Sequence, residues 1–141
     1  MHITRISPRE AAEKIQQGWV YVDVRPDDEF EEGHPAGALN VPYTRDEARF
    51  VAAVRAAAGE RAKLVLGCKS GIYSLYAAEM LARAGFEVVE QRAGFDGARG
   101  TFGQLEEEGW ARAGLPVEVS AEGGTSQTAD VERAAEGEDG E

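Results

Sequence analysis

Lys63-Leu64-Val65-Leu66-Gly67-Cys68-Lys69-Ser70-Gly71-Ile72-Tyr73-Ser74, running directly into Leu75 to Arg83, decides the fold of this chain. Leu64-Val65-Leu66 has no polar alternation and reads as a strand buried on both faces. The stretch from Leu75 presents Ala77, Ala78 and Leu81 on one face at helical spacing and stops at Gly85. Between strand and helix lies Cys68, the single cysteine of the chain. A thiol there faces the unpaired N–H groups of a helix start and the positive end of its dipole, both of which favour an anion. Lys69 adds a cation beside it, and Gly71 lets the loop turn. A free cysteine is often a small buried core residue. Here three activating features meet on one atom, and the reading is a reactive thiolate.

The flanking sequence extends the pattern. Residues 2–6 suit a short first strand. Ser7-Pro8-Arg9-Glu10 is a capping box with proline at the first helical position, opening a helix to about Gln17 that stops at Gly18. Trp19 to Val24 is aromatic and β-branched and reads as a central strand, with Trp19 and Tyr21 in the core. Asp27 to Glu32 forms one or two helical turns closed at Gly33, and Leu39-Asn40-Val41 a short strand ended by Pro42. Thr44-Arg45-Asp46-Glu47 repeats the capping-box pattern and opens a helix to Ala58, with Phe50, Val51, Val54 and Ala58 on its apolar face. Phe86 to Glu90 is the next strand. Ala93 to Gly100 is a loop, Thr101 to Glu108 a last helix, and Trp110 a core residue. Strands alternating with helices imply an α/β domain, a mainly parallel central sheet with helices on both faces. Its functional crevice lies beyond the C-terminal ends of the strands, where Asp23, Arg25 and Cys68 fall.

Three blocks of this sequence, in order, resemble the rhodanese-like sulfurtransferases. Cys68, Gly71 and Ser74 match the family loop Cys-x-x-Gly-x-Arg-Ser, with Tyr73 where the family has arginine. Asp23-Val24-Arg25, Glu29-Phe30 and Gly33-His34-Pro35-Ala36-Gly37-Ala38-Leu39-Asn40-Val41-Pro42 match a second block. Gly85-Phe86, Gly94-Phe95-Asp96-Gly97, Gly109-Trp110 and Gly114-Leu115-Pro116-Val117 look like the end of a single-domain member. The resemblance covers about residues 1–118 and implies a three-layer rhodanese-like domain. It also implies that Cys68 is the nucleophile and that Lys69, Ser70, Gly71, Ile72, Tyr73 and Ser74 bind the substrate. Asp23 and Arg25 are then a second layer behind Cys68. Taken on their own, the two charges at strand ends read as fixing neighbouring loops. His34 reads as holding its Gly-His-Pro turn, and Phe95 as lining the pocket.

Composition bounds the function. The 141 residues carry a net charge of −11, of which residues 120–141 hold −6 and the remainder −5. Nucleic acid is excluded as a partner, since phosphate binding needs a basic face. The acidic segment 119–141 has almost no large apolar side chain and reads as a disordered tail. No apolar run approaches the length that spans a membrane, and residues 1–5 lack the apolar core of a signal peptide. His2 and His34 form no metal-ligand spacing with Cys68, and no cofactor is implied. One cysteine allows no internal disulfide, which suits a reducing cytoplasm.

The resulting expectation is a sulfurtransferase that carries sulfur as a Cys68 persulfide. Donor candidates are thiosulfate or a persulfide, and the acceptor is a thiol or cyanide; a protein sulfur carrier is a further partner. Backbone N–H groups of residues 69–74 are expected to wrap the terminal sulfur. Tyr73 replaces a bidentate cation by one hydroxyl and puts efficient thiosulfate use in question. No arginine occurs between Cys68 and Arg83, which argues against a Cys-x5-Arg phosphatase. Two alternatives stand: a non-catalytic module of the same fold that binds a protein, and a single-cysteine thiol oxidoreductase or arsenate reductase.

Overall fold

The computed structural model describes residues 2–120. The acidic tail expected over 119–141 falls almost wholly outside the described residues. Helix α1 (Pro8–Gln16) starts as its sequence dictates: the Glu10 N–H donates to Ser7 Oγ at 3.1 Å and the Ser7 N–H to Glu10 Oε1 at 2.8 Å. Helix α3 (Glu47–Ala58) corrects the second capping box. Its N-cap is Asp46, whose carboxylate accepts from the Arg49 N–H at 3.1 Å, while Thr44 lies outside the helix. An Asx cap needs no residue upstream of it, so Thr44 is left to accept from the Asp46 N–H.

Five strands form one sheet in the order β1 (Arg5–Ile6), β6 (Glu87–Gln91), β5 (Lys63–Gly67), β2 (Val20–Asp23), β4 (Leu39–Asn40). All four pairings are parallel. Parallel strands need covered faces, and two apolar clusters supply the cover. Val22, Leu64 and Leu66 pack with Phe50, Val51 and Val54 of α3 and with Ala77, Ala78 and Leu81 of α4 (Tyr73–Arg83). On the other face Tyr21, Val65 and Val89 pack with Ala11 of α1 and with Trp110. Trp19 departs from its core assignment. It is half-buried, with the ammonium groups of Lys14 and Lys63 lying 4.4 and 5.8 Å from the centre of its ring.

The helix expected over 101–108 is absent. Strands β7 (Ala98–Arg99) and β8 (Leu105–Glu107) pair antiparallel instead. Gly103 at φ 80° turns the chain, and a bidentate Arg92–Glu107 pair at 2.8 and 2.9 Å holds β8 against the end of β6. Tertiary pairing of one side chain overrides the weak helical pattern of three adjacent glutamates. Helix α2 (Asp27–Glu32) leads into β3 (His34–Pro35), which pairs antiparallel with β9 (Val117–Glu118). Ser120 N–H donates to the Glu31 carbonyl at 2.9 Å, so the chain is still attached at the last described residue.

Candidate active site

Parallel strands β2 and β5 end side by side, Asp23 opposite Gly67, so the residues just past them share one edge of the sheet. The loop 68–72 is fastened there from two sides. The Phe95 N–H donates to the Cys68 carbonyl at 2.8 Å and the Asp96 N–H to the Lys69 carbonyl at 2.9 Å. Arg5 reaches across from β1 to donate to the Gly71 carbonyl at 2.7 Å. Gly71 itself has φ 91°, and a side chain there would meet the Arg92 carbonyl. Only glycine fits both the backbone and the space.

Cys68 is 5% exposed. The Gly71 N–H donates to its Sγ at 3.1 Å, and Ser74 Oγ lies 3.2 Å from the same sulfur. Of the loop amides expected to wrap the sulfur, only that of Gly71 among the described residues donates to Sγ. Ser74 belongs to the first turn of α4, so the helix start does face the thiol. Behind Ser74 stands Glu90, fully buried on β6, accepting the Ser74 hydroxyl at 2.5 Å. Arg5 Nε donates to the other oxygen of Glu90 at 2.6 Å, and this bond raises the guanidinium above its ordinary value.

Sequence reasoning misses Glu90 and Arg5. A usable signal exists for Glu90: a carboxylate at the end of a strand buried on both faces must find a donor. Nothing local points to Arg5, which lies 85 residues away from its partner in sequence.

The other sequence-selected residues are spread around this loop. Ser70 is half-buried and Ile72 is exposed. The Lys69 side chain is 65% exposed and its ammonium lies 4.0 Å from the Asp96 carboxylate, so its charge faces an anion as well as the thiol loop. Lys69, Asp96 and Phe95 share a groove with Arg25. Arg25 is buried: it grips the Asp23 carboxylate at 2.8 Å, donates to the Gly33 carbonyl at 2.6 Å, and lies 4.3 Å from the centre of the Phe95 ring. Asp23 and Arg25 therefore reach the thiol loop indirectly, through Phe95 and through the Val24 N–H on the Gly67 carbonyl at 2.9 Å. Tyr73 is 57% exposed, its ring 5.3 Å from that of Tyr43. Both line a cavity of about 390 Å³ with Val24, Pro26, Pro42, Thr44 and Arg45. His34 Nδ1–H donates to the Phe30 carbonyl at 2.6 Å and the ring stacks on that of Phe30; burial lowers its affinity for a proton. It serves the turn.

Among the described residues no helix is long and apolar enough to cross a membrane. A strand-to-helix loop that holds a buried cysteine, on a five-stranded parallel sheet, is the arrangement of the rhodanese fold. The family model described as the rhodanese-like domain matches residues 7–99, and the chain belongs to that family. It is 32% identical over 121 residues to thiosulfate sulfurtransferase 16, chloroplastic, of Arabidopsis thaliana, covering 81% of this chain and 92% of that protein. It is 36% identical over 98 residues to rhodanese-like domain-containing protein 15, chloroplastic, of the same plant, covering 64% of this chain and 54% of that relative. The chain thus spans about half the length of that second relative. Among solved structures, the crystal structure of Rv0390 from M. tuberculosis matches with a TM-score of 0.68 at 26% identity, over 84% of this chain and 98% of that one.

Proposed function

We propose that this protein is a sulfurtransferase in which Cys68 carries the sulfur. The observation that supports it most is the sulfur's setting: Sγ accepts the Gly71 N–H at a strand-to-helix turn, at the head of α4. In the first step the Cys68 thiolate attacks the outer sulfur of thiosulfate. The S–S bond of the donor breaks with its electron pair leaving on sulfite, and Cys68 is left as an anionic persulfide. In the second step cyanide or a thiolate attacks the outer persulfide sulfur, forming thiocyanate or a new persulfide and returning the Cys68 thiolate. A protein persulfide can replace thiosulfate in the first step by the same displacement. The lone cysteine suits a reducing compartment, and the cytoplasm is the one we propose.

Incubation with thiosulfate or polysulfide should add the mass of one sulfur to the intact protein, removable by cyanide or dithiothreitol. Prior alkylation of Cys68 should abolish the gain. An unmodified protein across several donors would defeat this reading and favour the protein-binding module. Half or more of Ile72, Tyr73 and Tyr76 is exposed beside the loop, which gives that second reading a surface.

Tyr73 sets the second expectation. Tyr73→Arg would place a guanidinium on the first turn of α4, near Arg45 and open to solvent. An exposed ionic contact is worth up to ~1 kcal/mol, so KM for thiosulfate should fall about two- to fivefold. The gain should shrink with added salt if it acts at long range, and a neutral persulfide donor should show none. Unchanged thiosulfate kinetics in the folded variant would mean that position 73 does not face the donor.

A further inference from the structure

We propose that Glu90, held by Arg5 and acting through Ser74, is a positioning residue that keeps the Cys68 sulfur protonated at rest. The inference rests on the reading of Cys68 as the reactive sulfur.

Two gaps share Ser74 Oγ, Sγ to Oγ at 3.2 Å and Oγ to Glu90 Oε2 at 2.5 Å, and the protons available to fill them can be counted. A hydroxyl has one proton, and a Glu90 carboxylate kept ionised by the Arg5 guanidinium can only accept it. Ser74 can then only accept from the sulfur, which requires the thiol form. With Cys68 as a thiol, two protons fill two gaps. Loss of the thiol proton leaves one proton for both gaps and an anion on each side of Ser74, in a site where Cys68 is 5% and Glu90 0% exposed. Like charges so placed oppose ionisation. Arg5 fixes which group is the anion, because its guanidinium bonds Glu90 at 2.6 Å and the Gly71 carbonyl at 2.7 Å. The helix start and Lys69, which favour the thiolate, thus act against a buried carboxylate.

The charged groups on the surrounding elements are matched locally. Asp23 pairs with Arg25 past β2, Lys69 with Asp96 across the loop, and Arg92 with Glu107 of β8. Tyr21 on β2 is pushed well upward, by burial first and by the Asp23 charge second, and stays neutral. Glu87 and Lys63 lie at the exposed starts of β6 and β5, and Glu79 and Arg83 of α4 lie more than a turn beyond Ser74. Glu90 is therefore the anion joined to the thiol by hydrogen bonds.

The test is the pH dependence of iodoacetamide alkylation of Cys68 in the full chain, which needs no sulfur donor and so is independent of whether a persulfide forms. Glu90→Gln keeps the shape and removes the anion. Its alkylation midpoint should move about one pH unit lower than wild type. Arg5→Gln leaves the carboxylate without its cation, and its midpoint should move higher. Arg5→Lys, which keeps the charge, should stay near wild type. Mere loosening of the loop would move both neutral variants the same way. Shifts of one sign in both, or no shift for Glu90→Gln, overturn the proposal. If Glu90→Gln fails to fold, as read by circular dichroism, the Arg5 pair decides: a midpoint for Arg5→Gln at or below wild type overturns it.

Discussion

Gly71→Ala should cut sulfur transfer from thiosulfate to cyanide by about a hundredfold and lower the unfolding free energy by about 2–4 kcal/mol. Two costs add at this position. A left-handed φ of 91° costs an alanine about 1 kcal/mol. The new Cβ would also meet the backbone carbonyl of Arg92, and a backbone atom cannot swing aside as a side-chain tip does. The loop must therefore move, and with it the Gly71 N–H that lies 3.1 Å from Sγ. The activity loss follows from losing that donor where negative charge develops on sulfur during the proposed transfer, since one such donor is worth roughly a hundredfold or more. Gly37→Ala separates the two costs. Gly37 has φ 82°, and a methyl group there would meet nothing within 4 Å, so that variant should lose only about 1 kcal/mol and keep its activity. Urea unfolding and the thiosulfate:cyanide assay on both variants decide it. A Gly71→Ala protein no worse than Gly37→Ala would mean that the loop tolerates another path.

What a sequence reveals of this fold follows physical range. Elements set by contiguous residues are legible: the Ser7–Glu10 box, the apolar run 64–66, and the face Ala77, Ala78, Leu81 all stand where local pattern puts them. The strand–loop–helix around Cys68 is legible for the same reason, because its parts are neighbours in sequence. What fails is decided at a distance. The segment 101–108 becomes a hairpin because Arg92 captures Glu107, a contact invisible to any helical period. The carboxylate behind Ser74 is hidden because Glu90 sits 16 residues from Ser74 and 85 from Arg5, and only the β1–β6–β5 strand order brings the three together. Adjacency in sequence makes Lys69 a cation for the thiol, yet the loop 94–96 folds back and sets Asp96 beside its ammonium.

Asp23→Ala should cost about 3–5 kcal/mol, a large share of the roughly 5–15 kcal/mol that holds an ordinary domain folded. Asp23 is 2% and Arg25 6% exposed, and the carboxylate takes hydrogen bonds from the Arg25 N–H, Nε and terminal amino group. Without it the guanidinium stays buried with the Gly33 carbonyl and the Phe95 ring, neither of which carries a charge. That uncompensated cation is the cost; the ion pair itself need contribute little. Asp23→Ala combined with Arg25→Met removes both charges and should recover most of the loss, because a buried pair exchanged for apolar side chains is often near neutral. The pair also holds Phe95, whose N–H bonds the Cys68 carbonyl, so the single variant should slow Cys68 alkylation less than it lowers stability. Urea unfolding of the two single variants and the double one gives the coupling directly. If the double variant is as unstable as Asp23→Ala, the cost lies in the lost Asp23 contacts with the strand ends rather than in a stranded Arg25, and the charge argument fails.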